Sequence, residues 1–485
     1  MNSCQARLRL VQAGAVFAAA LLVAGCGSQY RPVVTPINPS GPPSQPTSYV
    51  AVVSAPSTTT PGIATVVDYS GDTVVAQAAI GPGPLTFTLD ETGTTGYSIN
   101  SDGTLTNFPV SSSLQAKNVN YTTLSTVSEP VNLFAPSAGL WAPDLNGNVV
   151  DVFTGSPQTF KLAVPVAPTP IAVVGPGLLG QRNFIVSQNF LDPTGVACNT
   201  APHGVTQNGE VDTIETSSYT VSARIPVGVC PVFGIEGNDS RRFFVLNRGS
   251  DTVTVINVQN NTLDACTPFV NQSGQTVTCH PTLPLSKAAG LTGTNAPAVA
   301  GPVYAEFNSA TNQLIVADYD GKSITVIDVS LDEYGNDSGT FGTTFTIPVG
   351  NNPASVTVLP DGSRAYTANQ TDGTVTIANL SSHTVEKTLP VIGHPRTVVS
   401  TANSLYGKVY VASPDSPYLT ILRTDQDIVD TTVLVEGNIV DVRVSTQNGS
   451  NGNSNVQSHR PGYGEPCNLP GAASVATLAA CRAIP

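Results

Sequence analysis

Charge is scarce in this sequence. Asp, Glu, Lys and Arg together make up 11% of its 485 residues. Surface helices carry a charged face, so this scarcity excludes a helix-rich architecture. Basic residues (20) are outnumbered by acidic ones (33), giving a net charge of -13. That excludes a surface built to neutralise nucleic-acid phosphates, and adhesion of the folded surface to an anionic membrane. Histidine occurs five times, at 203, 280, 383, 394 and 459, without His-x-His or His-Glu-x-x-His spacing. The metal-binding helix of a zinc hydrolase is therefore not encoded. A Gly-x-Ser-x-Gly nucleophile elbow is missing as well. No catalytic residue, metal ligand or cofactor is assigned from the sequence.

What is plentiful is Gly (43) and Pro (39), alongside Thr and Val. Such a composition describes many short strands joined by tight turns.

The N-terminus carries Arg7 and Arg9, then an apolar run ending in small residues. Residues 1–25 read as a secretory signal peptide. Leu22-Val23-Ala24-Gly25-Cys26 resembles the bacterial lipobox. That resemblance implies cleavage before Cys26 and its acylation, so the chain would meet the membrane through a lipid anchor. Gly27, where inner-membrane retention favours Asp, implies the outer membrane; whether the protein faces the periplasm or the exterior stays open. Residues 26–48 form a Pro-rich tether, "GSQYRPVVTPINPSGPPSQPT" after the Cys. Six cysteines remain as disulfide candidates in an exported chain: Cys198, Cys230, Cys266, Cys279, Cys467 and Cys481. Residues 447–485 are a turn-rich tail, with Cys467 and Cys481 placed to pin back a short helix.

Between tether and tail, residues 49–446, the chain repeats itself. "RRFFVLNRGSDTVTVINV" recurs as "SRAYTANQTDGTVTIANL". Each unit opens on a Pro: Pro84, Pro130, Pro170, Pro231, Pro302, Pro353 and Pro395, separated by 46, 40, 61, 71, 51 and 42 residues. In three units an Asn or Asp falls 16 residues beyond the Pro: Asn247, Asp318 and Asn369. Each divides into four strand-sized pieces with Asp-Gly or polar turns. Four antiparallel strands cannot bury both faces alone, and a period of about 40–50 residues marks propeller blades. The recurrent Asn/Asp is read as bonding to its own turn. Val245-Leu246-Asn247, Tyr366-Thr367-Ala368-Asn369 and Val409-Tyr410-Val411-Ala412 resemble the YVTN family of β-propeller repeats.

The expected fold is all-β: a propeller of four-stranded antiparallel blades, eight by count, with seven as the fallback. "SYVAVVSA", "IATVVDYS" and "TVVAQAAIG" lack a first strand, and "NIVDVRVS" lacks successors. Sharing a blade would close the ring.

In an up-and-down blade, loops alternate between faces. The 61-residue unit carries "NFLDPTGVACNTAPHGVTQN" between its second and third strands, and the 71-residue unit carries "NQSGQTVTCHPTLPLSKAAGLTGTNAPAVA" before the next blade. Both are expected on one face, with Cys198 pairing Cys230 and Cys266 pairing Cys279. "SLDEYGNDSG" falls on the opposite face; its Asp332, Glu333 and Asp337 suit a calcium ion or, by the simpler reading, a solvated acidic loop.

Two motifs are set aside. Gly175-Pro-Gly177-Leu-Leu-Gly180 precedes a strand-like segment, not the helix a pyrophosphate needs. Gly321-Lys322-Ser323 lacks the leading Gly of a phosphate loop and reads as a hairpin turn. The channel-lining first strands are read as nearly free of charge, with Asp441 the exception. The expectation is a lipid-anchored cell-envelope propeller that binds or scaffolds a protein or glycan, with no nucleic-acid partner. The alternatives are a lactonase-like hydrolase, related propellers including such enzymes, and a structural envelope component or adhesin.

Overall fold

In the computed structural model of the chain, the Pro of three units opens a strand and the Asn or Asp 16 residues beyond it closes the next. Pro353 lies opposite Asn369, Pro231 opposite Asn247 and Pro302 opposite Asp318, each followed by a bulge. Proline has no N–H for the ladder, so a strand's first residue beside a bulge is where it is tolerated. The structure describes residues 48–445, apart from 58, 126–129, 137–138, 146, 176–180, 190–197, 199–200, 238–239, 288–298 and 402–406. Signal peptide, Cys26, tether, Cys467 and Cys481 lie outside the described residues.

Eight antiparallel sheets form the blades of a β-propeller. Numbered from the N-terminus, blades 2 and 4 to 8 open on the inner strands Pro84–Leu89, Pro170–Val174, Pro231–Gly237, Pro302–Asn308, Pro353–Val358 and Thr397–Ser400. Blade 3 departs from the pattern. Its three-stranded sheet, Leu140–Asp144, Val149–Thr154 and Thr159–Pro165, is joined to the segment after Pro130 by the single bridges Pro130–Asp144 and Phe134–Trp141.

Blade 1 closes the ring as expected. Asn438–Val444 is its inner strand, pairing with Tyr49–Ala55, which leads to Pro61–Asp68 and Thr73–Pro82. Tyr49 N donates to Ser445 Oγ (2.7 Å) and Ser54 Oγ to Glu436 O (2.6 Å), tying the two ends together.

Blade 7 shows why the strands read as apolar runs. Its first three strands, Pro353–Val358, Arg364–Asn369 and Thr374–Asn379, are almost wholly buried; its fourth, Thr384–Pro390, is mostly exposed. Both faces of each blade pack on neighbours, and only the outer edge meets water. Phe184 of blade 4 stacks on Phe243 of blade 5 at 4.7 Å, an aromatic seam between sheets.

The recurrent Asn secures blades 5 and 7 at the turn after the second strand. Asn247 Nδ2 donates to Thr252 Oγ1 (3.2 Å) and Thr254 Oγ1 (2.9 Å); Asn369 Nδ2 does the same to Thr374 (3.0 Å) and Thr376 (2.8 Å). The Gly of the Val349-Gly350-x-x-Pro353 run-in packs against that amide. A Cβ on Gly350 would stand 2.6 Å from Asn369 Cγ, so only glycine fits.

A second device locks blade to blade on the face carrying the third-to-fourth-strand turns, here the lower face. A basic residue opening the second strand reaches across to the next blade. Arg364 of blade 7 pairs with Asp427 of blade 8 and donates to Thr424 O (2.8 Å). Arg242 of blade 5 meets Asp337 of blade 6 at 2.9 Å. Lys408 of blade 8 meets Asp72 at 2.6 Å and Tyr69 O at 2.9 Å, both in blade 1, so the same clasp spans the closing seam.

One expectation about the insertions is corrected. The 71-residue unit's excursion does not all stand on the upper face, the side of the second-to-third-strand turns. Blade 5's fourth strand is split into Thr262–Leu263 and Thr282–Pro284, both pairing with Thr252–Asn257. The Cys266–Cys279 hairpin bulges from that split and packs on the lower-face loop of blade 6: Asn271 Nδ2 donates to Asp332 (3.2 Å) and Ser273 Oγ to Glu333 (3.0 Å). A strand interrupted midway keeps its register on both sides, which spacing counts cannot reveal.

Candidate binding site on the upper rim

The residue following the blade-closing Asn or Asp is Arg248 in blade 5, Tyr319 in blade 6 and Gln370 in blade 7, all buried. They join across blades. The Arg248 guanidinium lies 5.3 Å from the Tyr319 ring centre, and Tyr319 Oη donates to Gln370 Oε1 at 3.0 Å. Arg248 also grips Asp320 through two bonds, Nε at 2.9 Å and Nη2 at 2.8 Å. The paired geometry fixes the carboxylate in orientation as well as charge.

Over this platform stands the described end of blade 4's insertion, residues 201–207. The Cys198–Cys230 disulfide holds it, both sulfurs buried. A single 3-10 turn, Pro202–Gly204, sets down the ring of His203. Its Nδ1 is 3.2 Å from Gly249 O and 3.8 Å from Asp251; its Nε2 is 3.8 Å from Asp320. Asp251 in turn accepts from Ala300 N (3.1 Å) and Gly301 N (2.7 Å), on the connection into blade 6. The side chains of His203, Asp251 and Asp320 remain 31%, 22% and 23% exposed, so an imidazole and two carboxylates are presented at one spot on a fixed floor.

Under them lies Asp318, where blades 5 and 7 carry Asn. The hydrogen bonds run in reverse: Ser323 Oγ (3.2 Å) and Thr325 Oγ1 (2.6 Å) donate to Asp318 Oδ2. Burial pushes this carboxyl up to about 8, with the charges of Asp251 and Asp320 adding to the effect and the two hydroxyls opposing it.

The central channel is not as neutral as its first strands suggest. Tyr304 and Glu306 lie on the inner strand of blade 6, Asp441 and Arg443 on that of blade 1, with blades 7 and 8 between. Their charges nevertheless act on one another. Burial first, then Glu306, raises the Tyr304 phenol well above its ordinary value; Arg443 opposes and Asp441 adds. Inner strands so far apart in the ring can meet only across the channel. Arg443 Nη2 is 3.2 Å from Asp441 Oδ2. None of the four is more than 5% exposed, so this group is closed off from solvent and does not stand at an open mouth.

The acidic loop Ser330–Gly339 is neither solvated throughout nor arranged as a calcium loop. Asp337 is buried, accepting from Arg242 (2.9 Å), His280 N (3.1 Å) and His280 Nδ1 (2.8 Å). Asp332 caps its own turn through Tyr334 N and Asn336 N, both at 2.9 Å. Among the described residues, no group of three or more His, Cys, Asp and Glu side chains is arranged to hold a metal ion. Gly175 is followed by the strand Arg182–Ser187, and Gly321-Lys322 is a turn between Gln313–Asp318 and Ser323–Asp328. Of the cysteines, Cys198–Cys230 and Cys266–Cys279 are bonded as paired above.

His203 carried no spacing signal, because it sits in an insertion outside the repeat register. Arg248 and Asp320 had one: both lie in the turn that each unit places after its Asn or Asp.

The chain matches no protein-family profile and no curated protein. Solved structures share its fold. Apo AztD from Citrobacter koseri aligns over 82% of this chain and 97% of its own, at 13% identity and a TM-score of 0.53. The dihydro-heme d1 dehydrogenase NirN, in complex with DHE, aligns over 84% of this chain and 77% of its own, at 12% and 0.56. A putative 6-phosphogluconolactonase from Bacteroides fragilis aligns over 83% and 99%, at 14% and 0.50. At such identities the likeness is one of fold, and the fold is the β-propeller. Among the described residues no helix is long and apolar enough to cross a membrane.

Proposed function

We propose that this is an exported propeller of YVTN-type repeats, lipid-anchored at Cys26 in the outer membrane, whose upper rim binds a protein or glycan partner without transforming it. The observation that carries the reading is the contrast between two polar groups. His203, Asp251 and Asp320 are partly exposed on a rim fastened by a disulfide and a paired arginine. The channel group Tyr304, Glu306, Asp441 and Arg443 is sealed. A hydrolase needs its acid and base open to substrate, whereas a binding face needs fixed, accessible hydrogen-bonding groups.

The test is proximity cross-linking on intact cells, with captured partners identified by mass spectrometry. A single dominant partner is expected, lost when Cys26→Ala releases the protein and at least fivefold depleted by His203→Ala. Equal capture by the His203→Ala protein would remove the rim from the reading. Retention of Cys26→Ala in the membrane fraction would remove the anchor.

A further inference from the structure

The Cys266–Cys279 hairpin is fastened at its root, and both ends of that root meet the same two side chains. Asp264 precedes the hairpin, two residues before Cys266, and His280 follows directly after Cys279. Asp264 Oδ1 lies 3.2 Å from Arg242 Nη2, and that same nitrogen donates to Asp337 Oδ1 at 2.9 Å. Asp337 Oδ2 accepts from the His280 backbone N (3.1 Å) and is 2.8 Å from its ring Nδ1. Arg242 belongs to the second strand of blade 5, and Asp337 to the lower-face loop of blade 6. One cluster therefore ties the hairpin to two blades. Arg242, Asp264 and Asp337 are buried in it, while the His280 side chain is partly exposed.

Two carboxyl groups brought to one guanidinium nitrogen also stand close to each other. Burial pushes the Asp264 carboxyl up to about 6; Arg242 opposes, while Asp337 adds through its charge and a hydrogen bond that needs a proton between the pair. Asn257 Nδ2, donating to Asp264 Oδ1 at 3.3 Å, also opposes. The neighbouring charged groups have contacts of their own. Glu236 accepts from Ser240, Arg241 packs against Gly335, and Asp328 accepts from Ser330. Asp332 and Glu333 hold Asn271 and Ser273 at the far end of the hairpin. Phe341 stacks on the His280 ring at 5.3 Å.

We propose that the docking of this hairpin is proton-controlled: its root is closed while Asp264 holds a proton and loosens when that proton leaves. Opening returns the carboxyl to water, where an Asp ionises near 3.9. The closed state thus binds the proton more tightly than the open one. Below about pH 4 both states keep the proton and pH has no effect. Between about 4 and 6, each unit of rising pH favours opening by up to about tenfold. Above about 6 both states are ionised and the ratio is constant, so the full span is about a hundredfold. What responds is the lower face. Phe269 and Val270, both exposed, ride on the hairpin, and Ser273 meets the Tyr334 hydroxyl at 3.1 Å, so opening changes the apolar surface presented there. This device does not rest on the upper-rim reading.

The experiment is amide hydrogen exchange of the purified full chain from about pH 4 to 7.5, each rate divided by the intrinsic rate at that pH to give a protection factor. The amides of Asp264, which donates to Val255 O at 2.9 Å, and of His280 report the root; the blade 7 strand Arg364–Asn369 is the control. Relative to that control, root protection should fall at least about tenfold between pH 4 and 6.5 and level off above. Asp264→Asn, neutral and of the same size, should hold root protection constant over that range. His280→Gln should leave the fall in place. Constant root protection in the wild type overturns the proposal, as does a fall that persists in Asp264→Asn. A fall abolished by His280→Gln overturns it too, because histidine is itself a pH-sensitive side chain and would then be the sensor. Should Asp264→Asn fail to fold, the same fall in wild type and His280→Gln supports the proposal, and its absence from either overturns it.

Discussion

Asp318→Asn should make the protein more stable, by an amount that depends on pH. Asp318 is fully buried and its carboxyl is pushed up to about 8. An unfolded Asp ionises near 3.9. Below about pH 4 the group is neutral in both states and contributes no difference. Between about 4 and 8 the unfolded chain releases this proton while the folded chain keeps it, so stability falls by up to about 1.4 kcal/mol per pH unit. Above 8 the loss is complete and constant. At pH 7 the ceiling is about 4 kcal/mol, and structural relaxation brings the expected effect nearer about 2–3 kcal/mol. Asparagine removes the ionisation, and the site already knows how to hold it. Ser323 and Thr325 stand where Thr252 and Thr254 accept from Asn247. The two hydroxyls need only turn from donating to accepting. The assay is thermal unfolding of wild type and variant at half-unit intervals from pH 4 to 8.5. The midpoints should coincide near pH 4 and diverge steadily toward pH 8, the variant unfolding later. A difference independent of pH, or a variant less stable at pH 8, would refute the reasoning.

Two other perturbations test the ring itself. Lys408→Met removes the clasp from blade 8 to Asp72 and Tyr69 across the closing seam. A charged hydrogen bond of this kind contributes about 1.5–3 kcal/mol. Amide exchange should therefore accelerate in Tyr49–Ala55 and Asn438–Val444 before it does in blade 6, and unchanged protection there would show the clasp to be idle. Replacing Cys266 and Cys279 together by Ser opens a loop of sequence separation 13, which should cost up to about 3 kcal/mol, confined to the hairpin. Limited proteolysis between Asn271 and Val277 should rise while the His203 region keeps its resistance; cleavage spreading to the upper rim would contradict the separation of the two faces.

The strand pattern was legible because its causes are local. Proline at a strand's first position and an amide bonded to Thr hydroxyls five and seven residues later are short-range constraints, so they recur as spacing. The eight-blade count followed from an unmatched remainder: three strands at one end and one at the other make a single sheet. The basic residue at the head of the second strand was equally visible in "SRAY" and "RRFF". Its partner was not, because Asp427 and Asp337 belong to the next blade. Reading the first strands as nearly uncharged missed Glu306 and Arg443, which look like ordinary interruptions of apolar runs until ring closure sets blades 6 and 1 across one channel.

By itself, then, the order of residues determined the fold class, the number of blades, the shared blade and the pairing of Cys198 with Cys230. Each rests on a periodicity or on loop parity, properties written along the chain. Only the tertiary structure decided that the Cys266–Cys279 hairpin joins the lower face, that His203 reaches Asp251 and Asp320, and that Asp264 and Asp337 meet on one arginine. Those outcomes depend on how neighbouring blades fill the space between them, and one residue of different size or charge there changes the result without disturbing the repeat.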